Sequence, residues 1–251
     1  MESDEVPFLA ADGQTELHGV WHLPTSQATN SAIIVLHGSS NTKESPLSVE
    51  MCRRAAEIGL TALRFDFRYV EKGGPAGFHP YKDGIDDLIG AFNFIQSFGK
   101  EMKPKRIYLA GKSLGGLVAL TLAQKPEYKD KIRGVIVFGF AMHQPGQTKT
   151  LLPPPNLGAP DCDVVVIQGE LDPFGSLDEI SEYFLEAAIP VDIVSIEGAG
   201  HGYEPVERPG QPALGADELE KEHQENVEIA LKEAVEWLKE ADVDCDNFRT
   251  L

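Results

Sequence analysis

Three polar residues of this chain, Ser113, Asp172 and His201, sit in settings suited to nucleophilic attack and proton transfer. A serine hydroxyl is a weak nucleophile at neutral pH unless a base removes its proton, and an imidazole can be that base. A carboxylate can orient the imidazole and stabilise its cationic form. The strongest local signal is Gly111-Lys112-Ser113-Leu114-Gly115, preceded by the apolar run Ile107-Tyr108-Leu109-Ala110 and followed by Gly116-Leu117-Val118-Ala119-Leu120, which reads as a helix. A G-x-S-x-G between strand and helix is a nucleophile elbow, in which a strained turn lifts the serine Oγ clear of the sheet. Side chains at 111 or 115 would clash with the neighbouring strand or helix. The helix N-terminus behind Ser113 favours negative charge developing beside it. Gly111-Lys112-Ser113 is also the tail of a phosphate-binding P-loop, but that pattern needs a glycine where Arg106 stands and a loop where residues 107–109 read as strand. The P-loop reading fails.

The elements that must position these residues alternate between strand and helix. Residues 33–36 form a short buried strand, then a helix opens with Ser45 as N-cap and Pro46 at its first position, with Gly59 beyond its end. Residues 61–67 are the next strand. From Tyr81, apolar residues recur at Ile85, Leu88, Ile89, Phe92 and Ile95 on one helical face, and Asp83, Asp86 and Asp87 in its early turns suit the helix dipole. After the elbow come strands at 134–138 and 163–167, a capping box at Ser176-Leu177-Asp178-Glu179, and a last strand at 191–196. The final helix carries Val227, Leu231, Ala234, Val235 and Leu238 on one face, and residues 16–23 are expected to add an antiparallel edge strand. Near-continuously apolar strands separated by helices imply an α/β fold, a mostly parallel sheet with helices on both faces. Ligands in such sheets sit at the carboxyl ends of the strands, where Ser113, Asp172 and His201 all fall. Glu170 and Glu197 are rivals to Asp172 on the same edge.

The segments LHGSS, GKSLGG, QGELDPFG and GAGHGY resemble the four signature segments of the α/β-hydrolase superfamily and frame about the whole chain. The small size and the RFDFR segment at 64–68 are similar to the dienelactone-hydrolase-like and KANL/Tex-like branches. Two departures stand out. Dienelactone hydrolases proper use a cysteine nucleophile, where this chain has Ser113. Many relatives carry G-x-G-x-S after the RFDFR segment, where this chain has Glu71-Lys72-Gly73-Gly74-Pro75, so substrate contacts from that loop do not carry over.

The resemblance implies a serine hydrolase cleaving a carboxylic ester or thioester through an acyl-enzyme, with no cofactor and no metal. Ser113 is then the nucleophile, His201 the base, Asp172 the orienting acid, and the backbone N–H groups of Ser39 and Leu114 the oxyanion hole. Ser40, Arg68, Tyr69 and Tyr203 are candidate substrate contacts, Arg68 with an ordinary salt bridge as its equal alternative. The same triad can attack a peptide or amide bond, and a non-catalytic scaffold acting as an interaction module is the alternative of another class. The intact triad and His37-Gly38 turn argue for the enzyme. His37 is expected to hold that turn, His18 and His22 to be a surface pair, His79 and His143 to be loop residues, and Lys112 to be a surface residue.

Composition agrees with this reading. A chain of 251 residues at 42% hydrophobic has room for one large core, so a single domain over 1–251 is expected, with 1–12 and 242–251 as flexible ends. A formal charge of −18 argues against nucleic acid and anionic membrane as partners and otherwise serves solubility, while the resemblance implies a small-molecule acyl substrate. Three scattered cysteines (Cys52, Cys162, Cys245) fit a reducing compartment, and the acidic start Met1-Glu2-Ser3-Asp4-Glu5 lacks signal-peptide character, so a cytoplasmic location is expected. Larger relatives insert a helical lid where this chain has only the Pro-rich segment 141–163. The expectation is no large lid domain and an open pocket shaped by loops 70–80, 141–160 and 203–216.

Overall fold

The computed structural model describes residues 3–74, 80–99, 103–147, 159–207, 210 and 214–247. Eight strands in them form one sheet: β1 (Ser3–Leu9), β2 (Glu16–His22), β3 (Ser31–Leu36), β4 (Thr61–Phe65), β5 (Arg106–Lys112), β6 (Ile132–Phe138), β7 (Asp163–Gly169) and β8 (Asp192–Ile196). The helices are α1 (Pro46–Glu57), α2 (Arg68–Glu71), α3 (Pro80–Gln96), α4 (Leu114–Ala123), α5 (Leu177–Glu186) and α6 (Ala216–Asn247). The spatial order is β1-β2-β4-β3-β5-β6-β7-β8, antiparallel for the first two pairings and parallel from β4 to β8. This is the α/β-hydrolase fold, without a large lid: the whole connection from β6 to β7 is residues 139–162.

The central strands are apolar on both sides because both sides are covered. Ile34, Leu36, Leu109, Val135, Val137, Val164 and Val166 point into a core shared with α3, α4 and α5. Their neighbours Ile33, Val35, Tyr108, Ala110, Ile136, Phe138, Val165 and Ile167 point into a second core under α1 and α6. Side chains alternating between two apolar layers are what a doubly covered parallel sheet requires. The register pairs Leu36 with Gly111, Lys112 with Phe138, Phe138 with Ile167 and Gly169 with Ile196. The chain therefore leaves β3, β5, β6, β7 and β8 along one edge.

Most helix ends follow local rules. Pro46 opens α1, and Gly59 after it holds φ +97, a conformation that L side chains rarely adopt. Ser176 and Glu179 close a reciprocal capping box on α5, whose two bonds are 3.3 and 2.9 Å long.

The edge of the sheet differs from the sequence expectation. Residues 16–22 are a strand, but β2 lies inside, between β4 and an additional strand, β1. The Glu, Asp and Pro of β1 mask its strand character, and they are the residues that suit an exposed edge. Phe8 anchors it, with its ring 5.4 Å from Phe65 and 5.5 Å from Phe94. The chain just beyond β1 lies tight against α3: Ala11 N–H donates to Asp86 O (2.9 Å), and a β-carbon on Gly90 would stand 2.6 Å from Ala10 Cα. No helix among the described residues is long and apolar enough to cross a membrane.

Alanine is normally the better helix former, by about 1 kcal/mol over glycine. Gly90→Ala should nevertheless destabilise the protein, by about 1–3 kcal/mol of overpacking. Urea unfolding measures this directly, and a raised midpoint would refute the close approach.

Candidate active site

At the carboxyl end of β5 the chain turns directly into α4, with Ser113 at the turn holding φ 51 and ψ −113. A non-glycine residue there stores on the order of 1–3 kcal/mol of strain. Three glycines make the turn sterically feasible. A β-carbon on Gly111 would run into the main chain of Gly115, one on Gly115 would lie 2.7 Å from the carbonyls of Leu36 and His37, and one on Gly116 would lie 2.5 Å from Val137. Ser113 N–H donates to Phe138 O (2.9 Å), which ties the turn to β6.

Two loops bring partners to Ser113. After β8, His201 places Nε2 at 2.9 Å from Ser113 Oγ and Nδ1 at 2.7 Å from Asp172 Oδ2. An ionised carboxylate only accepts, so Nδ1 carries the proton and Nε2 presents its lone pair to the serine hydroxyl. The Asp172 side chain is fully buried. Its Oδ1 accepts from Phe174 N–H (2.8 Å), and its Oδ2 also accepts from Gln168 Nε2 (2.7 Å). The Phe174 ring stacks on the imidazole, with centroids 4.2 Å apart. The rival carboxylates are elsewhere: Glu170 accepts from Gly198 N–H, and both Glu170 and Glu197 are exposed.

The loop after β3 lies against the elbow. His37 Nδ1–H donates to Gly38 O (2.8 Å) and its Nε2 accepts from Phe67 N–H (3.2 Å), so the ring is neutral and both nitrogens are used. Burial lowers its pKa, which favours that state. At the far end of the loop Asp66 accepts from both the backbone N–H (2.6 Å) and the Nζ (2.7 Å) of Lys43. Tyr69 OH stands 3.3 Å from the carbonyls of both Gly38 and Ser39. Ser39 and Ser40 themselves are exposed beside the elbow.

Two sequence candidates for substrate contact are occupied otherwise. Arg68 is buried, its Nε donating to Asp87 (2.6 Å) and its Nη1 to Asp12 (3.2 Å), with Asp83 3.7 Å away. Asp87 also caps the Arg68 backbone N–H (2.9 Å), so this acidic residue does more than oppose a helix dipole. Tyr203 is 1% exposed and its hydroxyl donates to Ile167 O (2.9 Å), which places it in the core under α6. Burial of both polar ends removes them as contacts. His18 meets Glu71 at the surface, whereas His22 is buried with its Nε2 accepting from Arg64, so the two are not an exposed pair. His143 pairs with Glu179 (3.3 Å). Lys112 reaches inward to the His201 loop. His79 and parts of the three expected pocket loops (75–79, 148–158, 208–209 and 211–213) lie outside the described residues.

Sequence reasoning missed Gln168. It is fully buried, accepts from Phe140 N–H (2.6 Å) and donates to Asp172 Oδ2 and to Gly175 O (2.9 Å). A glutamine at the end of an otherwise aliphatic strand was the available signal.

A strand, a turn holding a strained serine, and a histidine and carboxylate from later strand ends define an α/β-hydrolase-type site. A family model described as an alpha/beta hydrolase domain matches residues 29–243, and the chain belongs to that family. No curated protein sequence matches it. Among solved structures it is similar to dienelactone hydrolase from Anabaena variabilis, with 18% identity, TM-score 0.69 and coverage of 95% of this chain and 97% of that one. A homologue of α/β serine hydrolases from Coxiella burnetii gives 17%, 0.68, 93% and 98%. An α/β serine hydrolase without a lid from Xanthomonas campestris gives 17%, 0.65, 94% and 95%. At such identity the likeness is one of fold.

Gln168→Leu leaves the Phe140 N–H and Gly175 carbonyl without their partner and removes one donor from Asp172. A loss of about 2–4 kcal/mol is expected, since each stranded buried group costs about 1–3 kcal/mol. Denaturant unfolding checks it, and a change below 1 kcal/mol would mean that the cavity rehydrates or repacks.

Proposed function

We propose that this protein is a serine hydrolase that cleaves a small carboxylic ester or thioester through an acyl-enzyme on Ser113. The observation that carries the reading is the unbroken chain from Ser113 Oγ through the His201 imidazole to buried Asp172, at 2.9 and 2.7 Å. As Oγ attacks the acyl carbon, its proton passes to His201 Nε2 and the carbonyl π electrons move to oxygen. Asp172 stabilises the imidazolium without taking its proton.

The oxyanion needs donors already in place. Leu114 is the first residue of α4, where a backbone N–H has no partner within the helix and the helix dipole favours negative charge. Ser39 follows Gly38, whose missing β-carbon would lie 3.5 Å from Lys112 O, so the loop comes up against the elbow. We assign the oxyanion to these two N–H groups. Collapse of the tetrahedral adduct breaks the bond to the alkoxide or thiolate, which takes the His201 proton. Water, deprotonated by the same imidazole, then releases the acid and restores Ser113. No metal or organic cofactor enters this scheme. The absence of a large lid favours short acyl groups, and Tyr69 at the Ser39 loop is the remaining candidate contact from the aromatic set.

A fluorophosphonate probe tests the reading without a substrate guess. Wild-type protein should carry the adduct on Ser113 by mass spectrometry, and Ser113→Ala none. Hydrolysis of 4-nitrophenyl acetate or butyrate should exceed that of the palmitate ester, and His201→Gln should lower kcat by at least about 10⁴-fold. Well-folded wild-type protein that takes no label would favour the interaction scaffold instead.

A further inference from the structure

The base stands in a glycine-rich loop, Gly198-Ala199-Gly200-His201-Gly202-Tyr203, whose own backbone bonds run from Tyr203 N–H to Gly200 O (3.1 Å) and from Gly200 N–H to Glu204 O (2.8 Å). Three consecutive carbonyls of this loop are each taken by a side chain from outside it. Lys112 Nζ donates to His201 O, His223 Nε2 donates to Gly202 O (3.0 Å), and Asn226 Nδ2 donates to Tyr203 O (3.1 Å). Two of these braces come from α6. The third comes from the residue immediately before the nucleophile.

We propose that Lys112 is a positioning residue that fixes the His201 imidazole relative to Ser113 by tying the main chain of the base to the strand end that carries the nucleophile. The inference rests on the serine-hydrolase reading of the site. Its geometric basis extends beyond one bond. The Lys112 ammonium lies 5.6 Å from the Tyr203 ring centroid, within cation–π reach. It also fills the space beside Gly139, where φ is +63 and a β-carbon would collide with Nζ and stand 3.3 Å from His201 Cε1. Glycine at 139 thus leaves room for a cation and the imidazole side by side.

Charge is part of the brace. A hydrogen bond from an ammonium is roughly twice as strong as a neutral one, and more effective where water is excluded. Burial pulls the Lys112 pKa down to about 8, against the opposing pull of the carboxylates facing it, Asp172 beyond β7 and Glu204 in the His201 loop. The side chain is therefore cationic at neutral pH and begins to lose its charge just above it. The lost charge weakens the bond to His201 O, so serine reactivity should fall across that range. An arginine at 112 stays charged throughout.

The test measures the rate of fluorophosphonate labelling of Ser113 from pH 6 to 9.5, with kcat and KM for 4-nitrophenyl butyrate, on the full chain and its Lys112→Met and Lys112→Arg variants. Lys112→Met keeps the aliphatic stem and loses the ammonium. It should lower both the labelling rate and kcat about 10–100-fold, the usual effect of a misplaced catalytic group, with KM changed less than about twofold. The wild type should lose reactivity through pH about 8, while Lys112→Arg should hold its plateau. Should Lys112→Met fail to fold, the contrast between wild type and Lys112→Arg decides alone. Wild-type-like labelling of folded Lys112→Met, or identical alkaline limbs in wild type and Lys112→Arg, would overturn the proposal. Unlabelled wild type would overturn the hydrolase reading beneath it, a separable result.

Discussion

The Ser113 backbone has to be held at φ 51 and ψ −113 against its own preference, and much of the central sheet serves that constraint. β5 runs between β3 and β6 in parallel register, so the turn at its end is clamped from both sides. Gly111, Gly115 and Gly116 allow α4 to leave the strand at once, packed against Leu36, His37 and Val137. Strain of this kind persists only where the surroundings over-determine the conformation. Here they also aim a hydroxyl at the one sheet edge where the six parallel strands end.

Asp172 and His37, buried around the site, are held by hydrogen bonds at both of their polar side-chain atoms. Asp172 is fully buried and accepts from His201, Gln168 and the Phe174 backbone. Those donors replace the water that a buried carboxylate loses, and they fix the face it presents to the imidazole. His37 does the same for the loop after β3 by using both ring nitrogens on backbone groups. Lys43 and Asp66 close the other end of that loop. Arg68 and Asp87 form a further buried pair that joins α2 to α3. Orientation is gained in each case at the expense of a desolvation that an apolar pair would avoid.

Local chemistry carried much of this protein into its sequence. The elbow, the capping box at Ser176 and Glu179, the Pro46 helix start and the doubly apolar strands all depend on residues within a few positions of one another. The order of Ser113, Asp172 and His201 along the chain follows from alternating strands and helices, so their shared edge was legible as well. β1 was not, because the features that keep an edge strand from aggregating, charge and proline, erase the signal of a strand.

What the tertiary structure alone decided is which side chains face each other. Sequence left Glu170 and Glu197 beside Asp172 as candidates for the imidazole, put Tyr203 and Arg68 near substrate, and gave Lys112 to solvent. Folding joins Asp172 to His201 across 29 positions and Lys112 to His201 across 89, and it turns Tyr203 into the core. Backbone preferences are set by near neighbours, so they write elements and turns into sequence. Side-chain partners are set by strand register and by how far each loop reaches beyond the sheet, and those follow from the packing of both cores at once.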